Sequence, residues 1–451
     1  MLKFGYCIEL VQPSLARCLR TPSGDASSMR WLLVLCVCVA CHHDHPSTSF
    51  DASVPIDAAP AEVGSAVVAL TVPFQPTTPT AYDFIVAYQD GVEPWTRAPP
   101  RVGDVFTLPI TSDRYGVLVA CSDAFPSFSK LRIVQIEYFT IAEATHVEIP
   151  LFGCGDPRAL AHLHGTVSNL GATPSISVET GDSIHATSTG TAYELDLAAG
   201  TRDVVARTDI ESPGRILVVH DVDEVNDTAL DIDFTTAVAM SDHQVHGLTT
   251  SQGDVIDTRS LLETANGTSA ILSATSTNQF VFTSSPASMH RPGDVDRLYA
   301  IVAASNSSAY RSLDVYGATG DVTATFRAPI AGLACATGTA APTPRVHATW
   351  TPLTTDITMV SVVQEDQLTN EMLEINAAMT TGYRGTASTW DAPDPSTIVD
   401  WPHGYDVTAG TIANCMLHVE DSSTGPGELA TVHHVAGTIM LGATAGVAYT
   451  P

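Results

Sequence analysis

Short stretches in which every second residue is apolar recur along the chain, for example over residues 115–121, 193–197 and 216–220. Successive side chains of an extended strand point to opposite faces, so this period of two predicts strands with one buried face. Gly, Pro, Asn, Asp and Ser separate the stretches at the spacing typical of sandwiches and barrels. Only the segments around Leu261 and Met372 suggest short helices. The pattern therefore predicts an all-β fold of tandem β-sandwich domains.

The chain has 451 residues, which is too long for one compact core of ordinary size. Asp156-Pro157 and the Ala- and Pro-rich stretch 340–344 are plausible boundaries. The third predicted unit is a polar, Ser- and Thr-rich β region, and an alternative is that it packs with the second as one larger body. The predicted units are 65–156, 157–236, 237–341 and 342–451.

An apolar run near the amino terminus predicts export. One arginine follows Met29, and the run from Trp31 to Ala40 then leads to Cys41. A membrane span needs about 20 apolar residues, so this shorter run favours a secretion signal. The segment resembles a bacterial lipoprotein signal peptide, although Cys38 occupies a position that is usually aliphatic in that family. The resemblance implies that Cys41 carries the lipid.

Residues 1–28 show no periodicity and precede a complete signal, so we expect translation to begin at Met29 and regard 1–40 as a spurious extension plus the signal peptide. Residues 41–64 are rich in Ala, Pro, Ser and Asp and predict a flexible, disordered tether. In lipoproteins a residue other than Asp after the lipidated cysteine accompanies outer-membrane sorting. His42 therefore implies an outer-membrane lipoprotein that faces the periplasm or the cell surface.

Four cysteines lie beyond Cys41, an even number that favours disulfides in an oxidising compartment. Proximity in the sequence favours two pairs, and free buried thiols are the alternative. The predicted pairs are Cys121 with Cys154 and Cys335 with Cys415.

The charge balance narrows the range of partners. The chain has 20 basic and 49 acidic residues, for a net charge of -29. A field of that sign repels phosphate, which argues against nucleic acid as a partner. The expected partners are the membrane, through the lipid anchor, and a glycan or an envelope protein.

Two segments resemble known β-sandwich modules. Gly165-x-Val167 followed by the stretch 193–200 is similar to the carboxypeptidase-regulatory-like, or prealbumin-like, domain. The stretch 348–352 around Trp350 is similar to the second strand of a fibronectin type III or immunoglobulin-like domain, where a Trp packs between the sheets. In the first family such modules are accessory scaffolds, which implies a non-catalytic role.

Histidines and carboxylates provide candidate metal ligands. His162 and His164 lie two apart on a predicted strand, so their rings point to one side, as two imidazole ligands must. No third ligand is evident nearby, and a surface pair is the alternative. A run of oxygen ligands suits calcium but lacks the glycine and glutamate of an EF-hand loop, so a solvated acidic turn is the alternative. Its residues are His220, Asp221, Asp223, Asp227, Asp231 and Asp233, with Asp221, Asp223 and Asp227 as the calcium candidates.

The closely spaced His42, His43 and His45 are a further possible chelator of copper, nickel or zinc, with a plain tether as the alternative. No cofactor is expected apart from these candidate ions.

A Pro-rich stretch combines aromatic rings with carboxylates, which suits recognition of a carbohydrate or a peptide. Aromatic side chains also fill sandwich cores, which is the competing interpretation. The candidate ligand-binding residues are Trp390, Asp391, Asp394, Asp400, Trp401, His403 and Tyr405.

The mature sequence has no Gly-x-Ser-x-Gly, His-Glu-x-x-His or Cys-x-x-Cys motif and no phosphate-binding loop. We therefore predict a non-enzymatic cell-envelope lipoprotein that serves binding, adhesion or scaffolding. The alternatives are a secreted polysaccharide or peptide hydrolase with accessory sandwiches, and an envelope metal-binding protein.

Overall fold

The computed structural model describes most of the chain beyond residue 65. Predictions about the signal peptide, Cys41 and the tether fall outside the described residues, as do Cys154 and His403. The described residues are 66–72, 84–103, 105–123, 130–149, 160–171, 176–181, 185–188, 192–208, 214–224, 227–251, 254–275, 280–304, 309–339, 344–366, 368–402, 404–426, 434 and 436–451.

The described part of the chain is almost entirely β-structure, which confirms the predicted fold class. The strands are β1 (Ala66–Thr71), β2 (Phe84–Asp90), β3 (Thr96–Arg97), β4 (Val105–Ile110), β5 (Arg114–Asp123), β6 (Lys130–Thr140), β7 (His146–Glu148), β8 (Leu160–Ser168), β9 (Ile176–Glu179), β10 (His185–Ser188), β11 (Ala192–Ala198), β12 (Gly200–Thr208), β13 (Arg215–Glu224), β14 (Asp227–Ala229), β15 (Ile232–Asp233), β16 (Val238–Ala239), β17 (Ser241–His246), β18 (Asp254–Glu263), β19 (Ser269–Thr275), β20 (Val281–Ser284), β21 (Val295–Ala304), β22 (Tyr310–Tyr316), β23 (Val322–Thr323), β24 (Ala334–Thr339), β25 (Arg345–Thr349), β26 (Ile357–Asp366), β27 (Glu371–Thr380), β28 (Thr389–Asp391), β29 (Ala413–Ser422) and β30 (Ile439–Tyr449).

The helical elements are short. One α-turn, α1 (Thr381–Arg384), and the 3-10 turns Phe234–Thr236, Ala287–Met289 and Pro395–Thr397 connect strands. The short helices predicted around Leu261 and Met372 are wrong, because these residues lie in β18 and β27. Long parts of both strands are buried on both faces, so their sequences lack the alternation of apolar and polar residues that marks a half-buried strand.

One sheet of twelve strands forms the framework, in the order β19-β18-β21-β22-β30-β29-β26-β27-β6-β5-β2-β3. All neighbours are antiparallel except β27 and β6, which are parallel. The strands come from the predicted units 65–156, 237–341 and 342–451, so strands of these three units pair within one sheet. The β24-β25 hairpin also spans the boundary predicted between residues 341 and 342.

Smaller sheets cover both faces of this large sheet. The sheet β4-β1-β7 packs on one face, where Leu70 and Leu108 meet Val117 and Phe139. On the opposite face the sheet β24-β25-β28 packs against Leu118 and its neighbours. Trp350 is buried in this second core, between the layers, as its sequence context predicted.

The predicted second unit is a two-layer sandwich. The sheet β10-β9-β12-β13-β16 faces the sheet β11-β8-β14, and β15 also pairs with β8. Tyr193 and Leu195 are buried between the layers while Glu194 and Asp196 are exposed, as the alternation predicted. The side chain of Leu197 lies outside the described set.

Residues of the predicted second and third units are in contact. Val205 and Ile216 from the sandwich join Leu262 and Leu272 of the large sheet in one apolar cluster. Beside it, Arg291 donates two hydrogen bonds of 2.9 Å from Nη2 to the carboxylate of a buried aspartate, Asp203. Polar and apolar contacts therefore both hold the two units to each other.

A disulfide joins Cys335 on β24 to Cys415 on β29, the pair that sequence proximity favoured, with a Cα–Cα distance of 6.4 Å. It links the covering sheet to the large sheet. Cys121 is disulfide-bonded as well, and Cys154, its predicted partner, lies outside the described residues.

A carboxylate is buried within the framework. Glu137 on β6 has no exposed surface, and Gln135 Nε2 donates a hydrogen bond of 3.3 Å to its Oε1. Burial raises the pKa of Glu137 to about 8, because the charged form loses its hydration.

This carboxylate should make stability depend on pH. Between pH 6 and 7 an unfolded glutamate is ionised, whereas Glu137 in the folded chain keeps its proton. The folded state thus binds more protons, and stability falls as pH rises, by about 1.4 kcal/mol per pH unit from this group. Glu137→Gln does not titrate, so we expect urea midpoints of wild type to decline relative to the variant between pH 6 and 7. Urea midpoints that change with pH in parallel in the two proteins would contradict the raised pKa of Glu137.

Candidate functional site

The outer face of the small sheet β11-β8-β14 carries two histidines. On β8, Leu163 points into the sandwich core, so His162 and His164 on either side of it point outward. The neighbouring β11 is antiparallel and places Asp196 directly opposite His162. The strand alternation seen in the sequence therefore fixes the common direction of both rings.

A third residue reaches the two histidines from the other side of β8. The short strand β14 pairs with β8 in parallel, with Asp227 opposite His162 and Ala229 opposite His164. No spacing in the sequence signals this register, because β14 follows β8 by some sixty residues and the connection runs through the opposite sheet. The sequence pattern predicted the histidine pair, whereas Asp227 was predicted to be a calcium ligand, apart from the histidines.

A glycine allows the chain after β14 to lie close to β8. A Cβ atom on Gly165 would be 1.9 Å from the carbonyl oxygen of Leu230. The same Leu230 donates its N–H to the carbonyl of His164 at 2.9 Å and accepts a hydrogen bond of 2.6 Å from the Tyr193 hydroxyl. These contacts hold the Asp227 segment in register beside the histidines.

The side chains of His162, His164 and Asp227 form a compact group. One possible ligand atom from each lies within 4.8 Å of the others, and within the described ranges this is the one group of three such residues. The imidazole rings are stacked, with centroids 5.5 Å apart. Nδ1 of His164 is 3.0 Å from Oδ1 of Asp227, and Nδ1 of His162 is 2.9 Å from Oδ1 of Asp196.

The group lies at the surface and is surrounded by negative charge. The histidine side chains are each 39% exposed, and that of Asp227 is 71% exposed. The pKa of His162 is raised, mainly by its hydrogen bond with Asp196 and further by the charge of that carboxylate. Two imidazoles with two carboxylates can therefore hold either protons or a metal cation.

The remaining carboxylates of the acidic run bind separate partners. Asp221 accepts hydrogen bonds from Arg291 at 2.6 Å and Asn266 at 2.9 Å, and these lower its pKa. Asp231 accepts a hydrogen bond from the Thr166 amide on β8. Asp233 accepts from the Asn169 side chain and from the Thr235 amide in the 3-10 turn after β15. Within the described residues, the predicted calcium ligands Asp221, Asp223 and Asp227 do not form one group.

The predicted aromatic binding surface is corrected by the structure. Trp390 and Tyr405 are 5% and 2% exposed and belong to the core beneath the β24-β25-β28 sheet, so their ring faces meet protein. Trp401 is partly buried against the same core, with its ring centroid 5.8 Å from that of Tyr405. The competing interpretation of this stretch, that its aromatic residues fill a core, accounts for Trp390 and Tyr405.

The carboxylates of that stretch remain at the surface. Asp391 lies 2.7 Å from Nδ1 of His347, and Asp394 caps the following 3-10 turn by accepting from the Ser396 amide. Asp400 pairs with Arg97 at 3.0 Å. They form separate local contacts.

A Ser, a His and an Asp also meet inside the protein, which bears on the hydrolase alternative. The Ser285 hydroxyl contacts Nε2 of His290 and donates to Oδ1 of Asp296 at 2.7 Å, and that oxygen is 3.7 Å from the same Nε2. In a catalytic triad the carboxylate holds the other ring nitrogen. Burial also raises the pKa of Asp296 to about 7, whereas a triad carboxylate must be ionised. This buried cluster therefore lacks triad geometry.

Within the described residues no helix is both long and apolar enough to cross a bilayer. No protein-family model and no curated protein matches the chain. Among solved structures, the crystal structure of a tetra-tandem repeat in the extending region of a large adhesion protein aligns over 85% of this chain and 99% of that chain, with 11% identity and a TM-score of 0.14. An alignment with so low a TM-score defines neither a shared fold nor a shared function.

Proposed function

We propose that the protein is a non-enzymatic cell-envelope protein, held at the outer membrane by a lipid on Cys41, whose β-structured body serves binding, adhesion or scaffolding. The observation that carries the proposal is the twelve-stranded sheet, in which strands from three predicted units pair continuously. Such a body is stiff, because moving one part against another would break hydrogen bonds between neighbouring strands. A stiff body that follows the tether predicted from the composition of residues 41–64 suits presentation of a surface away from a membrane.

The two resemblances support the same role. The sandwich that contains Gly165, Val167 and Tyr193 is proposed to be a carboxypeptidase-regulatory-like module, and the layer around Trp350 a fibronectin type III-like one. Modules of the first kind act as accessory scaffolds. The surface carboxylates Asp391, Asp394 and Asp400 are the proposed contact points for a glycan or an envelope protein, since carboxylates accept hydrogen bonds from hydroxyls and amides.

Replacement of the lipidated cysteine tests the anchor. Cys41→Ser should move the protein from the membrane fraction to the soluble fraction, because a diacylated cysteine is the stable attachment that the proposal requires. Cys38→Leu is the matched control, since it restores the usual aliphatic residue of the lipobox, and this variant should stay with the membrane. Retention of Cys41→Ser in the membrane fraction would refute the lipid anchor.

An array of glycans and envelope proteins, probed with the soluble Cys41→Ser protein, tests the binding role. We expect at least one retained ligand, with weaker retention after Asp391, Asp394 and Asp400 are changed together to asparagine. Failure of every ligand to bind, or cleavage of an arrayed glycan or peptide, would count against a non-enzymatic binding protein.

A further inference from the structure

We propose that His162, His164 and Asp227 form a binding site for one divalent transition-metal ion of the zinc, copper or nickel class. The site would tie β14 to β8 on the outer face of the sandwich. The inference stands on this group of side chains and does not depend on the proposed anchor or binding role.

The donor set defines the class of ion. Two imidazole nitrogens and one carboxylate oxygen are ligands that zinc, copper and nickel share. Calcium and magnesium prefer sites made of oxygen atoms alone, so the two imidazoles disfavour them. The strongly negative surface charge of the chain adds a general attraction for cations.

The geometry is close to what such an ion requires. In a tetrahedral zinc site the ligand atoms lie about 3.3 Å apart, since each is about 2.0 to 2.1 Å from the metal. The three candidate atoms already lie within 4.8 Å of one another. All three side chains are partly exposed, so solvent leaves room for them to rotate toward a shared ion.

One buried ring nitrogen contacts a carboxylate without forming a hydrogen bond to it. Nδ1 of His164 is buried and makes no hydrogen bond, although Oδ1 of Asp227 is only 3.0 Å away. A cation between these two atoms would satisfy both. Buried polar atoms are nearly always hydrogen-bonded, and a bound cation would replace the missing hydrogen bond of Nδ1.

A second carboxylate orients the group. Asp196 lies 2.9 Å from Nδ1 of His162, as carboxylates commonly do for histidine ligands of metals. This contact fixes the ring orientation of His162, so Asp196 is a positioning residue. The backbone register of β11 with β8 holds the pair in place.

Calorimetric titration of the full chain with metal chlorides tests the proposal. The protein used carries alanine in place of His42, His43 and His45, because those residues are a competing chelator. Zinc, copper or nickel chloride should bind with one ion per chain, and calcium chloride should give no heat. His164→Ala and Asp227→Asn should each weaken affinity at least tenfold, and Asp196→Asn by a smaller factor. His347→Ala is the matched control, since it removes a histidine that also pairs with one aspartate on a strand, and it should leave affinity unchanged.

Circular dichroism and thermal unfolding of the metal-free variants show whether each one folds, and the conservative His162→Gln provides a second variant if one does not. Absence of binding by all three transition metals would overturn the proposal. So would binding that His164→Ala and Asp227→Asn leave intact, or a loss of equal size in His347→Ala. None of these outcomes bears on membrane fractionation, so failure here is distinct from failure of the proposed function.

Discussion

Replacing Asp314 by asparagine is expected to lower the free energy of unfolding by about 3 to 5 kcal/mol. Asp314 on β22 pairs with Arg297 on β21, and both side chains are 3% exposed. The guanidinium donates from Nε to Oδ1 of Asp314 at 2.7 Å, and its carbon lies over the rings of Tyr299 and Tyr316, 5.5 and 5.4 Å from their centroids. Asparagine keeps the size of the side chain but removes the charge, which leaves a buried cation without its main counterion.

Urea denaturation of wild type and variant at one pH measures this effect. Asp400→Asn is the matched control, because Asp400 pairs with Arg97 at a similar distance but at the surface, where solvent screens the charges. The control should unfold near the wild-type midpoint. Equal small losses in the two variants would show that the buried pair contributes no more than the exposed one.

Removing the Cys335–Cys415 disulfide is expected to lower the free energy of unfolding by about 2 to 5 kcal/mol. The bond closes a loop with a sequence separation of 80 residues, so it strongly restricts the unfolded chain. It also joins the covering sheet to the large sheet beside a core that contains Trp350 and Trp390. Its loss should therefore loosen that layer first.

The double variant Cys335→Ala/Cys415→Ala is the suitable protein for this measurement, because a reducing agent would also act on the disulfide of Cys121. Hydrogen exchange of β24, β25 and β28 is expected to rise more than that of β1 and β4, which cover the opposite face. An unchanged denaturation midpoint would contradict the prediction.

The alternation of apolar residues was sufficient to predict the fold class and the buried faces of individual strands. Tyr193 and Leu195 are in a core and Glu194 and Asp196 are outside it because strand geometry alone decides that. Alternation carries no information about which strands pair. The parallel contact of β6 with β27 joins segments more than two hundred residues apart, and a choice between distant partners depends on packing of the whole chain.

Only part of the candidate metal site could be predicted from the sequence. His162 and His164 could be predicted as a pair, since both lie on one strand. Asp227 could not be assigned to them, because its place depends on the register of β14 against β8 and on the close approach that Gly165 permits. The prediction of an exposed aromatic surface was wrong for Trp390 and Tyr405, because composition alone does not distinguish an exposed ring from a ring in the core.

The position of β30 between β22 and β29 has a consequence for biosynthesis. Until residues 439–449 leave the ribosome, β22 and β29 each present an open edge with unpaired backbone groups. Open edges of this kind invite pairing with other chains. The nascent protein should therefore depend on chaperones until β30 is made, and a truncation before Ile439 should yield aggregates instead of a shorter folded body.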